Sequence, residues 1–499
     1  MTLRFIGGEM AGWSDPAPAG GATYRCLVRA LHPLLTAGSR VLVAGPHQPE
    51  LIAALPAAAD VTCLIRGDRD AKALPPDRSN VLCGSVAELT DSFDVIIALD
   101  GVARLCTVEG PQYRWTESLQ VLRRLIRPGG VLLLAVENEL GVHRLVDRRP
   151  ATSAPQDADW HPLGDYDTKP SSPARLREHL AAAGLTASWL STAWPLPATP
   201  TVLVAEPALR TDAADPAGTT GALAATVSAA TGAAFAGLPV LSDPRRLAAA
   251  AVRGGIGPEL APALVVLAFH GPAQTVTLPT VLVGDGPPAA LPPGRMLEEL
   301  LIGACLRHDL PTIRRLLSEW TTRQPAATAD NVLVDGDAFA VLDPTRPELT
   351  PEAAVRRFAA TLLEGGYEHP WPATDDLAAI LLAAAGLDPA PSGGPAPVPH
   401  SLRENGDPLP VPHSLREKGD PLPVPHSLRE QGERLRRLEV QLADSTAQLR
   451  QVEAELTERD GELRRARLQI DLFRDRASYR LVTFGVRAAR KAFRTLRHR

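Results

Sequence analysis

Apolar runs bounded by turn residues recur along the first 206 positions. RVLVAG (40–45), DVTCLIR (60–66), NVLCGS (80–85), FDVIIALDG (93–101) and PGGVLLLAVEN (128–138) each read as a buried strand. Helical periods separate them: PELIAAL after the first, RWTESLQVLRRLIR (114–127) before the fifth, and SPARLREHLAAAGL (172–185) after a polar loop. TASWLSTAW (186–194) and TVLVAE (201–206) are close enough to pair as a hairpin. Strands alternating with helices build a parallel sheet covered on both faces, the α/β class, and the hairpin adds one antiparallel strand. In such a sheet the ligand crevice lies outside the carboxyl ends of the first, second and fourth strands, where the strand order reverses.

The rest of the chain divides by composition. Residues 207–236 are rich in small residues and read as a linker. Residues 237–390 read as an α+β accessory domain. It holds a helix at 243–255, a strand at 262–271, one helix or two over 294–320 with Asp309 as a cap, and a helix over 350–366 that opens on Thr350. A hairpin at 331–343 turns at Asp335-Gly336. Residues 391–426 carry a 13-residue repeat, VPHSLRENGDPLP followed by VPHSLREKGDPLP, and read as a semi-rigid spacer. From 427 to 475 the period becomes seven, with Leu435, Leu442, Leu449, Leu456, Leu463 and Ile470 at one heptad position, which predicts a self-associating coiled coil. Residues 476–499 hold eight Arg/Lys and no acid. That tail suits an anionic membrane surface or another acidic partner, or it is a solvated helix continuing the coil.

Composition narrows the functions. The 499 residues carry a formal net charge of −5, which excludes whole-chain nucleic-acid binding by bulk charge. No basic, aromatic-interleaved surface lines the first 205 residues, so no nucleic-acid partner is expected. No run reaches membrane-spanning length, and the first residues have no secretory pattern, so the expected location is cytoplasmic, with the tail peripheral to a membrane. The five cysteines show no CxxC pair and read as reduced and buried; no metal site is expected. Lysine is nearly absent while arginine abounds, the usage of a high-GC genome.

FDVIIALDG, then LRRLIRPGGVLLLAVENELG, then ARLREHLAAAGL with its strand, short loop and strand, resemble the class I S-adenosylmethionine-dependent methyltransferase family over roughly 22–206. VENELG is similar to the strand end of methyltransferases from polysaccharide and natural-product clusters of high-GC bacteria. The resemblance implies a Rossmann-like seven-stranded sheet, S-adenosylmethionine as cofactor, and methyl transfer to a small-molecule, glycan or lipid-linked acceptor. It places Gly45, Asp68, Gly84, Ser85 and Asp100 on the cofactor side. Asp100, Glu137 and His143 follow strand ends on the crevice side and are the candidate catalytic groups. The loop over 143–171 reads either as a substrate lid or as an unstructured insertion.

This chain also departs from the family pattern. Its first loop keeps only Gly45, with Pro46, His47 and Pro49 beside it and Val43 where an acid is common. Ile65 and Arg66 stand near the place of the ribose-binding acid, and Gly84 and Ser85 near that of the adenine-binding acid. Two classes of function therefore fit: a methyltransferase, or a non-catalytic relative that assembles with partners through its coiled coil and tail. The 331–343 hairpin is similar to the metal-binding stretch of aminoglycoside-phosphotransferase-like kinases, with Asn331 and Asp343 at the ligand places. Ala326 stands where that family has its catalytic aspartate, so a phosphotransferase is rejected. Similar hairpins also occur in accessory domains fused to sugar-cluster methyltransferases.

Overall fold

In a computed structural model, residues 3–74, 79–147, 160–162, 168–209, 219–288, 291–372 and 376–388 are described. The 13-residue repeats, the heptads and the basic tail lie outside them, as does most of the loop over 143–171. Ten strands form one sheet: β1 (Leu3–Gly7), β2 (Arg40–Ala44), β3 (Asp60–Ile65), β4 (Asn80–Gly84), β5 (Phe93–Ala98), β6 (Ile126–Glu137), β7 (Leu185–Trp194), β8 (Val202–Ala205), β9 (Ala263–His270) and β10 (Val281–Val283). Their order is β1-β4-β3-β2-β5-β6-β9-β7-β8-β10. From β1 to β6 every pair is parallel, and the order reverses between β2 and β5. β9 runs antiparallel to both β6 and β7.

The period of two sorts the side chains. In β2, Val41 and Val43 join one core cluster while Leu42 and Ala44 join the other. The first cluster holds Tyr24, Leu27 and Val28 of the helix Ala22–Ala30 and Leu51 of the helix Pro49–Ala53. The second holds Trp115, Leu119 and Leu122 of the helix Trp115–Leu125 and Leu176 and Leu180 of the helix Pro173–Ala182. Both faces are covered, which is why the central strands read as unbroken apolar runs.

Three expectations change. The sheet has ten strands, not seven. The expected hairpin forms, as β7 and β8, but it does not finish the sheet: β9, from beyond the 206 boundary, slots between β6 and β7. ALVVLAFH is apolar throughout and buried between two neighbours; such a run fixes a central strand but not which sheet it enters. The 207–236 linker contains the helix Thr219–Ala234, half of whose residues are buried. Its small residues permit close packing. A Cβ on Gly221 would lie 1.7 Å from the Gly294 carbonyl oxygen.

Beyond β10 the expected elements form. Asp309 caps the helix Leu310–Arg323 by accepting from Thr312 N–H, which divides it from the helix Leu297–Leu306. Thr350 caps Pro351–Glu364 in the same way. β11 (Arg295–Met296), β12 (Val332–Asp335) and β13 (Ala338–Val341) make a small antiparallel sheet. Asn331 and Asp343 close it: the Asn331 amide donates to the Asp343 carbonyl and accepts from the Asp343 N–H. The Asn331 side chain is thereby spent on structure.

Candidate functional site

The crevice begins where β2 ends. Gly45 has φ +95°, a left-handed conformation that favours glycine. Two residues on, the His47 ring folds back, and both of its nitrogens are engaged. Nδ1–H donates to the Gly45 carbonyl at 2.9 Å, and Nε2 accepts from the Leu99 N–H at 3.1 Å. Burial, offset in part by the Gly45 hydrogen bond, pushes its pKa down to about 4, so the ring is neutral.

At the end of β3 stands Arg66, fully buried. Its guanidinium meets the equally buried carboxylate of Asp15 through Nε and Nη2. It also donates to the Cys106 and Trp160 carbonyls and lies 5.5 Å from the ring centroids of both Trp13 and Trp160. Asp15 belongs to a segment that precedes every element read from the sequence. After β1, residues 8–20 cross the carboxyl ends of β4, β3 and β2 in turn. Ser85 N–H donates to Gly7 O, Met10 bridges to Gly67, and Ala19 bridges to His47. Asp68 accepts from Gly12 N–H at 2.7 Å, and Asp70 accepts from Ser14 and from Asp15 N–H. Further along, the carbonyls of Pro16 and Ala17 accept from Arg104.

The ends of β5 and β6 lie side by side, with Ala98 opposite Leu134. After β5, the buried Asp100 carboxylate is held by Arg104. Burial, opposed by the Arg104 charge, pushes its pKa up to about 7. At the end of β6, Glu137 accepts from His143 Nε2–H at 3.0 Å and pairs with Arg144 and Lys169. Burial alone would raise its pKa; the His143 hydrogen bond and the Lys169 and Arg144 charges instead hold it well below the usual carboxylate range. With Nε2–H committed to Glu137, the buried His143 Nδ1 has no hydrogen-bond partner among the described residues. It packs beside the Gly141 backbone.

The structure thus brings Glu137 and His143 together after β6, while Asp100 follows the neighbouring strand β5 and faces Gly45. Gly45 also faces the crevice: a Cβ there would meet Asp100 and Leu105 at 3.6 Å. The other candidates serve the N-terminal segment. A Cβ on Gly84 would lie 2.4 Å from Gly7 O, so this glycine makes room for β1. Ser85 is buried under Gly8 and caps a short 3₁₀ turn, and Asp68 bonds Gly12 and Lys72. Sequence reasoning missed Asp15, Trp13 and the role of Arg66. The signals were the short apolar strand LRFIG before the segment and the aspartates 68 and 70, which bond Gly12, Ser14 and Asp15.

With residues 8–20 in place, this side of the crevice does not fit S-adenosylmethionine. Arg66 stands near where an acid would take the ribose hydroxyls, and its donors are taken by Asp15, Cys106 and Trp160. A separate cavity of about 2060 Å³ lies between the helix Thr219–Ala234, the helix Pro351–Glu364 and the 331–343 hairpin. Within its lining Arg245 pairs with Asp243, and Arg346 with Asp330. Among the described residues no His, Cys, Asp and Glu cluster could hold a metal ion, and no helix is long and apolar enough to cross a membrane.

No family model matches the chain, and no curated protein does. Among solved structures it is similar to the [4+2]-cyclase SpnF, at 16% identity and TM-score 0.27 over 52% of this chain and 85% of that one. It is also similar to the plantazolicin methyltransferase BpumL in complex with SAH, at 8% identity and TM-score 0.29 over 50% of this chain and 83% of that one. A third is an S-adenosylmethionine-dependent methyltransferase from Mesorhizobium loti, at 13% identity and TM-score 0.25 over 48% and 95%. The Rossmann-like assignment rests on strand order and register, not on these similarities.

Proposed function

We propose that this chain is an S-adenosylmethionine-dependent methyltransferase acting on a small-molecule, glycan or lipid-linked acceptor. One observation carries the reading: the Glu137–His143 pair at the end of β6, the strand that neighbours β5. An ionised carboxylate holds the imidazole by its Nε2–H and so fixes the direction of Nδ1. That is the arrangement of a general base with its orienting acid. Nδ1 is covered by the Gly141 turn, so an acceptor O–H or N–H would reach it only as that turn moves; it would then give up its proton there, and Glu137 would stabilise the imidazolium. A buried ring nitrogen without a partner is costly to maintain, which argues for a task beyond packing. Further support comes from the switch point between β2 and β5, the place where doubly wound sheets bind ligands.

A second reading is favoured by the Arg66–Asp15 pair: a methyltransferase-fold protein that keeps the sheet and works by assembly. Self-association through 427–475 and attachment of 476–499 to an anionic membrane surface are compatible with both readings.

The deciding experiment incubates the intact chain with S-adenosylmethionine and a panel of hydroxyl, carboxyl and amine acceptors, and measures S-adenosylhomocysteine formed. The expected result is acceptor-dependent product, reduced about 10²–10⁴-fold by His143→Gln. Product formation unaffected by His143→Gln would remove the dyad from the chemistry. No product with any acceptor would favour the assembly reading.

A further inference from the structure

We infer that residues 8–20 are a built-in occupant of the cofactor side of the crevice, and that a nucleoside enters only as this segment lifts. The inference rests on the methyltransferase reading and adds a regulation to it.

Of the cofactor-side positions expected from the sequence, Ser85 and Asp68 have their partners in residues 8–20, Gly84 meets the strand just before them, and Asp100 is held by Arg104. Gly84 is filled by Gly7, Ser85 is covered by Gly8, and Asp68 is bonded by Gly12. The place of the ribose-binding acid holds Arg66, bonded by Asp15 and stacked by Trp13. The loop after β2 is bonded on both sides of His47 by Ala19, through Pro46 O and Gln48 N–H. Arg104, which holds Asp100, also binds the Pro16 and Ala17 carbonyls. The Arg66 guanidinium, within cation–π distance of two indole rings and bonded to a carboxylate, fills this part of the cofactor side. Gly67 permits the approach, since a Cβ there would lie 2.6 Å from Trp13 O.

The segment is held by polar contacts more than by bulk. Only Met10, Asp15, Ala19 and Gly20 of residues 8–20 are buried, and most of its bonds to the helix Asp68–Ala73 are exposed or half-buried. These contacts contribute little each, so the buried Arg66–Asp15 pair, which must also part, sets the main cost of lifting the segment. Opening costs the ligand its share of affinity, because only the open fraction binds.

The test uses the intact chain and S-adenosylhomocysteine as probe. Trp13→Ala and Asp70→Ala loosen the segment while leaving the strand ends unchanged. Calorimetry is expected to show at least tenfold tighter binding by the double variant than by the wild type. Hydrogen exchange supplies a second readout that needs no substitution: the amides of Met10, Gly12, Asp15 and Ala19, slow in the free wild type, are expected to exchange faster when the probe is bound. Wild-type binding with those amides still protected would overturn the latch and leave the methyltransferase reading standing. A folded double variant whose amides exchange freely, yet which binds no probe, would overturn both.

Discussion

The Arg66 guanidinium and the Asp15 carboxylate, 51 residues apart in sequence, form a salt bridge whose two side chains have no solvent exposure. One end belongs to the sheet and the other to an arm laid across it. Removing one partner of a buried pair strands the other charge, whereas replacing both with apolar groups does not. Asp15→Ala is therefore expected to cost about 3–5 kcal/mol of unfolding free energy. Arg66→Met combined with Asp15→Leu should recover most of it. Chemical denaturation of the three proteins checks this; a double variant as unstable as the single would show that the pair is not the source.

His47 and Asp100 make opposite contributions to the pH dependence of stability. The His47 pKa falls from 6.5 to about 4 on folding, so its contribution is present above 6.5 and lost as pH drops towards 4. The Asp100 pKa rises from 3.8 to about 7, so its contribution is present below 3.8 and lost as pH climbs through 7. Between pH 4 and 6.5 the two largely cancel. At about 1.4 kcal/mol per unit, the His47 shift is worth roughly 3 kcal/mol and the Asp100 shift roughly 4 kcal/mol across their windows. Relative to wild type, Asp100→Asn should gain stability as pH rises from 4 to 7, and His47→Gln should lose it from 4 to 6.5. Thermal melts at half-unit pH steps check both slopes.

Gly221→Ala tests the status of the 207–236 stretch. The added methyl would meet the Gly294 carbonyl at 1.7 Å, so the helix Thr219–Ala234 must shift. A loss of about 1–3 kcal/mol is expected in denaturant unfolding. An unconnected linker would show none.

Much of the core sheet was legible because its strands are buried on both faces. RVLVA, FDVIIA and GGVLLLAVE each announce a central strand without tertiary information. Caps were equally plain: Asp309 and Thr350 accept from the third residue onward, as their positions before proline-led helices require. What the sequence hides is partnership at a distance. The alanine-rich Thr219–Ala234 reads as a linker because its packing depends on absent side chains. β9 reads as part of another domain because an apolar run does not name its neighbours. Glu137 and His143 stand out in the sequence by their place after a strand end, and the structure bonds them to each other. Arg66 was visible only as a departure, since the residue that explains it, Asp15, sits in an arm with no periodicity of its own.

The central claim, that this chain retains methyl transfer behind a self-occupied crevice, is tested most directly by titrating S-adenosylhomocysteine into the intact chain by calorimetry. Saturable binding, weakened by Gly45→Trp and strengthened by Trp13→Ala with Asp70→Ala, is the predicted result. No heat at millimolar ligand, from a folded wild type and a folded double variant alike, would contradict it.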